Sequence, residues 1–64
     1  MTLGRRQIQV LQCLADGLGV KGTADKLSIT ENTVKTHKEN IFERLGVVTS
    51  AAAVAVALRE GWIE

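Results

Sequence analysis

The chain has 64 residues, a formal net charge of +1, no proline and two aromatics, Phe42 and Trp62, so it is one small domain near the lower size limit for folding alone, with little room for a deep substrate pocket. A charge this weak means that any contact with nucleic acid depends on where the cations stand, not on their total. The single cysteine, Cys13, excludes an internal disulfide and points to a reducing, cytoplasmic setting. No apolar run reaches membrane-span length and the start is not a signal peptide.

Strand signals are poor: alternation is not sustained and alanine and leucine dominate, so the expected class is all-α. Residues 3–18 carry the first predicted helix. Ile8, Leu11, Leu14, Ala15 and Leu18 share a broad face and read as core, and Gly17 reads as a stop. Gly4 can cap the start and Gln7 can complete a capping box. Arg5 and Arg6 stand at the positive end of this helix, which disfavours each by about 0.3–1 kcal/mol. They read either as solvated arginines or as a phosphate clamp. A shorter helix follows over residues 20–27. Gly22 inside it costs about 1 kcal/mol against alanine, and Thr23 is expected to bury a hydroxyl bonded back to the preceding turn.

Residues 30–46, TENTVKTHKENIFERLG, form the helix around which the rest is organised. Val34, Ile41 and Leu45 fall on one stripe, with Asn32, Thr36, Glu39 and Glu43 opposite. Lys35 flanks the polar face on one side, Thr33 and Asn40 on the other. Thr30 can cap this helix, and Gly46 sits where it stops in the left-handed conformation. Ser28 and Glu31 also fit a capping box, which leaves two possible starts. A short helix, a tight turn and a longer helix form the helix-turn-helix arrangement, whose second helix enters the DNA major groove. The same pattern also occurs in small bundles that do not bind DNA. The last predicted helix, residues 50–60, is alanine-rich. Val54, Ala57 and Leu58 can face the core, leaving Ala51, Ala52, Ala55 and Val56 on other sides. Such a helix needs a cover, and a second copy of the chain is the expected one. The alternative is an alanine-rich surface that small residues make tolerable. Trp62 and Ile63 are expected to fold back over the core edge.

Thr33, Lys35, His37, Lys38 and Asn40 are residue types that serve phosphates and base edges. With its T-V-K-x-H core, later Asn-Ile and terminal Leu-Gly-Val, the stretch resembles the recognition helix of LuxR/FixJ-type DNA-binding domains. The resemblance extends through QVLQCLADGL upstream and AVAVALREGWI downstream, and so over about the whole chain. It implies a four-helix bundle containing a helix-turn-helix over residues 1–64, binding duplex DNA and regulating bacterial transcription as a homodimer. The dimer is expected to form through the last helix at Ala52, Ala55, Val56 and Arg59. Lys35, Thr36 and Glu39 are the expected base-facing residues. Lys21, Thr33, His37, Lys38, Arg5 and Arg6 are the expected phosphate-facing ones, with the Lys38 stem packing and its ammonium reaching outward. The chain departs from the family where Gly19-Val20-Lys21-Gly22-Thr23-Ala24 replaces the usual Ser-Asn-Lys-Glu-Ile-Ala. It departs again at Val48 and Ser50, where basic residues commonly flank the loop.

There is no catalytic constellation, and one His with one Cys cannot make a structural zinc site. No cofactor, metal or small-molecule ligand is expected. Cys13 reads as a small buried apolar residue, and Glu39 with Glu43, one turn apart on an exposed face, as solvated charges and not as a catalytic acid/base pair. The rival reading is a protein-interaction module with weakened DNA affinity that contacts another regulator or RNA polymerase. Near-neutral charge, Gly22, Val48 and Ser50 favour it; Thr33, Val34, Lys35, His37 and Asn40 favour DNA.

Overall fold

The computed structural model describes residues 3–64. Its elements are α1 (Arg5–Ala15), α2 (Gly19–Leu27), α3 (Glu31–Leu45) and α4 (Ser50–Arg59), and no strand occurs among the described residues. Helices α2 and α4 each pack on both α1 and α3, α1 also touches α3, and α2 and α4 do not meet. The result is a bundle in which α1 and α3 are central and the other two lie on opposite sides.

All four helices end in the same way. The residue after the last turn takes a left-handed φ: Gly17 (+81°), Ser28 (+58°), Gly46 (+67°) and Gly61 (+75°). Its N–H and the next N–H then donate back into the closing turn. The pairs are Gly17 to Leu14 with Leu18 to Cys13, Ser28 to Asp25 with Ile29 to Ala24, Gly46 to Glu43 with Val47 to Phe42, and Gly61 to Leu58 with Trp62 to Ala57. This double closure satisfies carbonyls that a helix end leaves orphaned, and the residue that follows each is apolar. It stops α1 at Ala15, three residues short of the expected end. At the other end the Gly4 N–H donates to the Gln7 side chain at 3.2 Å; glycine has no side chain to return the bond.

The main core joins Leu3, Val10, Leu11, Ile41, Ala53, Ala57 and Ile63, with Trp62 and Phe42 packed at its edge. Cys13, Thr23, Ala24 and Val34 are buried outside that cluster, on the three mutually packed helices α1, α2 and α3. Ile8, Leu11 and Leu14 face inward as their spacing predicts, but Ala15 is exposed and Leu18 is 38% exposed. The turn at Gly17 takes Leu18 off the helical stripe, and Val10 fills the core in their place. In α4 Ala53 and Ala57 are fully buried and Val54 packs against the core, while Leu58, expected inward, is 49% exposed. The fully buried positions of α4 are held by the small side chains of Ala53 and Ala57, and the larger Leu58 lies on the side turned away from the core.

Two details were not visible in the periodicity. The Gln12 side-chain amide donates to the Glu64 carbonyl at 3.1 Å and accepts from the Glu64 N–H at 3.0 Å. This clasp ties the C-terminal tail to α1 and holds Ile63 in the core. Gly22 has a steric role: a Cβ there would lie 3.0 Å from the Leu18 Cβ. Glycine therefore lets α2 start close against the end of α1, and alanine would lose in contact much of what it gains in helix propensity.

The expected bond from Thr23 is not present. Its hydroxyl is fully buried and has no hydrogen-bond partner. Four residues back is Gly19, whose φ of +68° departs from helical backbone, so no regular turn stands behind Thr23 to receive it. A buried hydroxyl without a partner carries its full desolvation cost. Thr23→Val is therefore predicted to raise unfolding free energy by about 1–3 kcal/mol, measured by urea denaturation. A loss of stability would mean that the hydroxyl is bonded in solution.

Candidate nucleic-acid interface

Helix α3 is about 22 Å long at 1.5 Å per residue, nearly the 26 Å length of the whole molecule. Val34 and Ile41 are fully buried and Leu45 half-buried, so one stripe anchors the helix along its length. On the opposite face Asn32, Thr36, Glu39, Asn40 and Glu43 are all exposed, with exposed Lys35 beside them. That face is continuous, polar and helical, and the helix diameter matches the width of the B-DNA major groove.

The start of α3 is set by Thr30. Its Oγ accepts from the Thr33 N–H at 3.1 Å and lies 2.8 Å from the Thr33 hydroxyl. Ser28 is not the cap; it is the left-handed residue that ends α2. Glu31 in the first turn and Arg44 in the last complement the helix dipole.

The predicted site residues fall into three settings. Lys35, Thr36 and Glu39 share the exposed face, and Asn32, one turn before Thr36, belongs with them. Asn32 was not among the expected base-facing residues; its i, i+4 spacing to Thr36 is the signal that marks it. Lys38 and His37 are half-buried at the two edges of the anchoring stripe. The Lys38 ammonium lies 5.9 Å from the centroid of the Phe42 ring, the outer limit of a cation–π contact. Its stem packs as expected, and the head group rests over the ring. Lys35, Lys38, Glu39 and Phe42 together line a shallow, open hollow of about 210 Å³. Arg5, Arg6 and Lys21 are exposed at the N-terminal ends of α1 and α2, away from α3 in sequence. The Thr33 hydroxyl is exposed but engaged with Thr30, so it can donate to a phosphate only when Thr30 supplies the proton of their shared bond.

Among the described residues no three His, Cys, Asp or Glu side chains come together to hold a metal ion, and no single helix is long and apolar enough to cross a membrane.

A short helix closed by a left-handed residue, a three-residue elbow and a longer helix with one bare polar face define a helix-turn-helix DNA-binding domain. The model of the bacterial regulatory proteins of the luxR family matches residues 1–57, and the chain belongs to that family. It is a DNA-binding domain of transcription regulators. It is 36% identical over 62 residues to the transcriptional regulatory protein DegU of Brevibacillus brevis, covering 97% of this chain and 26% of that one. It is 41% identical over 58 residues to the probable transcriptional regulatory protein NarL of Mycobacterium tuberculosis, covering 91% and 27% respectively. The crystal structure of the response regulator ChrA, of a heme-sensing two-component system, superposes with a TM-score of 0.92 at 41% identity. The match covers 98% of this chain and 31% of that one. The chain thus spans about a quarter of the length of the curated relatives it matches.

The elbow geometry separates the two candidate caps experimentally. Ser28→Gly relieves a left-handed non-glycine residue and is expected to stabilise the domain by about 1 kcal/mol. Thr30→Ala removes the cap and is expected to destabilise it by about 1 kcal/mol. Opposite shifts in thermal midpoint confirm the assignment; a loss at Ser28 would return the cap to that residue.

Proposed function

We propose that the chain reads duplex DNA by placing α3 in the major groove, and that it does so as a homodimer through α4 to regulate transcription in the bacterial cytoplasm. The observation that carries the first part is the bare outer face of α3: Asn32, Lys35, Thr36 and Glu39 are exposed together on a helix anchored from behind by Val34 and Ile41. Lys35, Thr36 and Glu39 face base edges. Lys21, Thr33, His37, Lys38, Arg5 and Arg6 serve the phosphates, Lys38 by swinging off the Phe42 ring. With about three to five charged contacts per domain, log affinity should fall against log salt with a slope of roughly −2.7 to −4.5 per domain. Filter retention of duplex DNA over a salt series measures it. The DNA reading of the isolated domain fails if micromolar protein retains no duplex at low salt.

The dimer reading is supported by α4. Ala51, Ala55 and Leu58 lie on its outward side and are exposed, with half-buried Ala52 and exposed Arg59 beside them. Small residues on an outward helix face let a second helix approach closely, and Leu58 supplies the larger apolar contact. Val56 is half-buried against the domain's own body, so it stands at the edge of that face. Ala55→Glu is expected to weaken self-association on DNA several-fold and leave helicity unchanged. Sedimentation and DNA stoichiometry equal to the parent's would place the interface elsewhere.

One observation favours the rival reading of an interaction module for RNA polymerase or another regulator: Val48, 88% exposed, stands at the turn between α3 and α4. On that reading Val48→Ser abolishes contact with the protein partner and leaves duplex retention untouched.

A further inference from the structure

Glu39 is exposed on the outer face of α3, one turn after Lys35. Among the described residues its side chain has no hydrogen bond or ion pair, and neither has that of Lys35. A lysine four residues before a glutamate is the less favourable order for a helical pair, so the carboxylate is left open to a donor from outside. The hollow beside it is lined by the two lysines and the Phe42 ring, which leaves room for a group to approach from that side.

A carboxylate brings acceptors only. In the major groove guanine presents N7 and O6, both acceptors, and thymine presents O4 and a methyl group. Neither offers Glu39 a proton. Adenine offers its N6 amino group but sets the N7 acceptor beside it, against the second carboxylate oxygen. Cytosine offers N4–H₂ with no neighbouring acceptor of its own. We infer that Glu39 is a specificity-determining residue that selects cytosine at one position of the half-site and rejects guanine and thymine there. The inference rests on the reading of α3 as the groove-entering helix. The same negative charge opposes phosphates everywhere, so Glu39 lowers affinity for all duplexes while it sharpens the choice at one base pair. Lys35 has the opposite character: its cation favours any duplex and, bonded to guanine O6 and N7, specifies as well.

The test is selection of bound sites from random duplex DNA with the 64-residue chain and with Glu39→Ala and Glu39→Gln, followed by competition against every single-base change in the parent's site. Both substitutions are on the surface, and unchanged helicity by circular dichroism verifies that the fold is kept. The parent is expected to require cytosine at one half-site position, with a roughly five- to hundredfold loss for other bases. Glu39→Ala is expected to flatten that position alone and to bind random duplex better than the parent. Glu39→Gln is expected to move the preference to adenine, because glutamine pairs with N6 and N7 together. The inference is overturned, with the DNA reading intact, if the parent enriches a motif and both variants return the same base profile at every position. A parent that binds no duplex, or enriches no motif, overturns the groove reading itself and this inference with it.

Discussion

Everything in this domain depends on how α3 is held. A helix nearly as long as the molecule is fixed along one stripe, by Val34 toward one end and Ile41 toward the other, both without exposure. Helices α2 and α4 reach α3 from either side over α1 and do not touch each other. Among the described residues none covers the outward face of α3, where Asn32, Thr36, Glu39 and Glu43 are exposed. The small core of this domain is used in anchoring the helix from behind. A rigid back and a bare front are what a helix needs to enter a groove in one orientation, because a helix free to roll would carry its side chains past the base edges.

The helix ends set that orientation. Four closures of one kind position four connections, and the second is the elbow between α2 and α3. There Ser28 takes the conformation that the other three positions give to glycine, and Thr30 two residues later caps α3. The elbow is therefore made by side-chain and backbone hydrogen bonds within a few residues, with Ile29 as the apolar residue after the closure. The first half of the motif is less well served. Gly22 accepts a poor helix former so that α2 can pass close to Leu18, and Thr23 buries a hydroxyl that nothing receives. Both lie on the helix that braces α3, so the brace is the weaker member of the pair.

Charge and function meet on α3 in an unusual balance. Lys35 and Lys38 share their surroundings with Glu39, and Glu43 stands one turn further along the exposed face. On the proposed reading this helix has little general attraction for phosphates, and its affinity depends more on what the bases offer. On the same proposed reading a second copy of the domain would add to that affinity, since two half-sites bound together gain what one weakly charged domain lacks. Ala51, Ala55 and Leu58 are exposed on α4, and Val48 is exposed at the turn before it.

Much of this was legible before any coordinates. The four helices, the stop at Gly17, the close of α3 at Gly46 and the polar outer face of α3 follow from helical periodicity and from hydrogen bonds reaching only three to five residues. The resemblance carried by Thr33-Val34-Lys35, His37 and Leu45-Gly46-Val47 named the family that the comparisons show. Such features are encoded by residues close together in the chain, which is why the amino-acid sequence by itself determined them. Burial is different. That Ala53 and Ala57 enter the core while Leu58 is turned out, that Val10 is inside while Ala15 and Leu18 are not, that Thr23 lacks a partner, and that Gln12 clasps Glu64 fifty-two residues away were decided only by the tertiary structure. The apolar stripe of a helix says which side can be buried. How deep each residue lies depends on how near the next helix comes, and that distance is set by side chains on both partners at once.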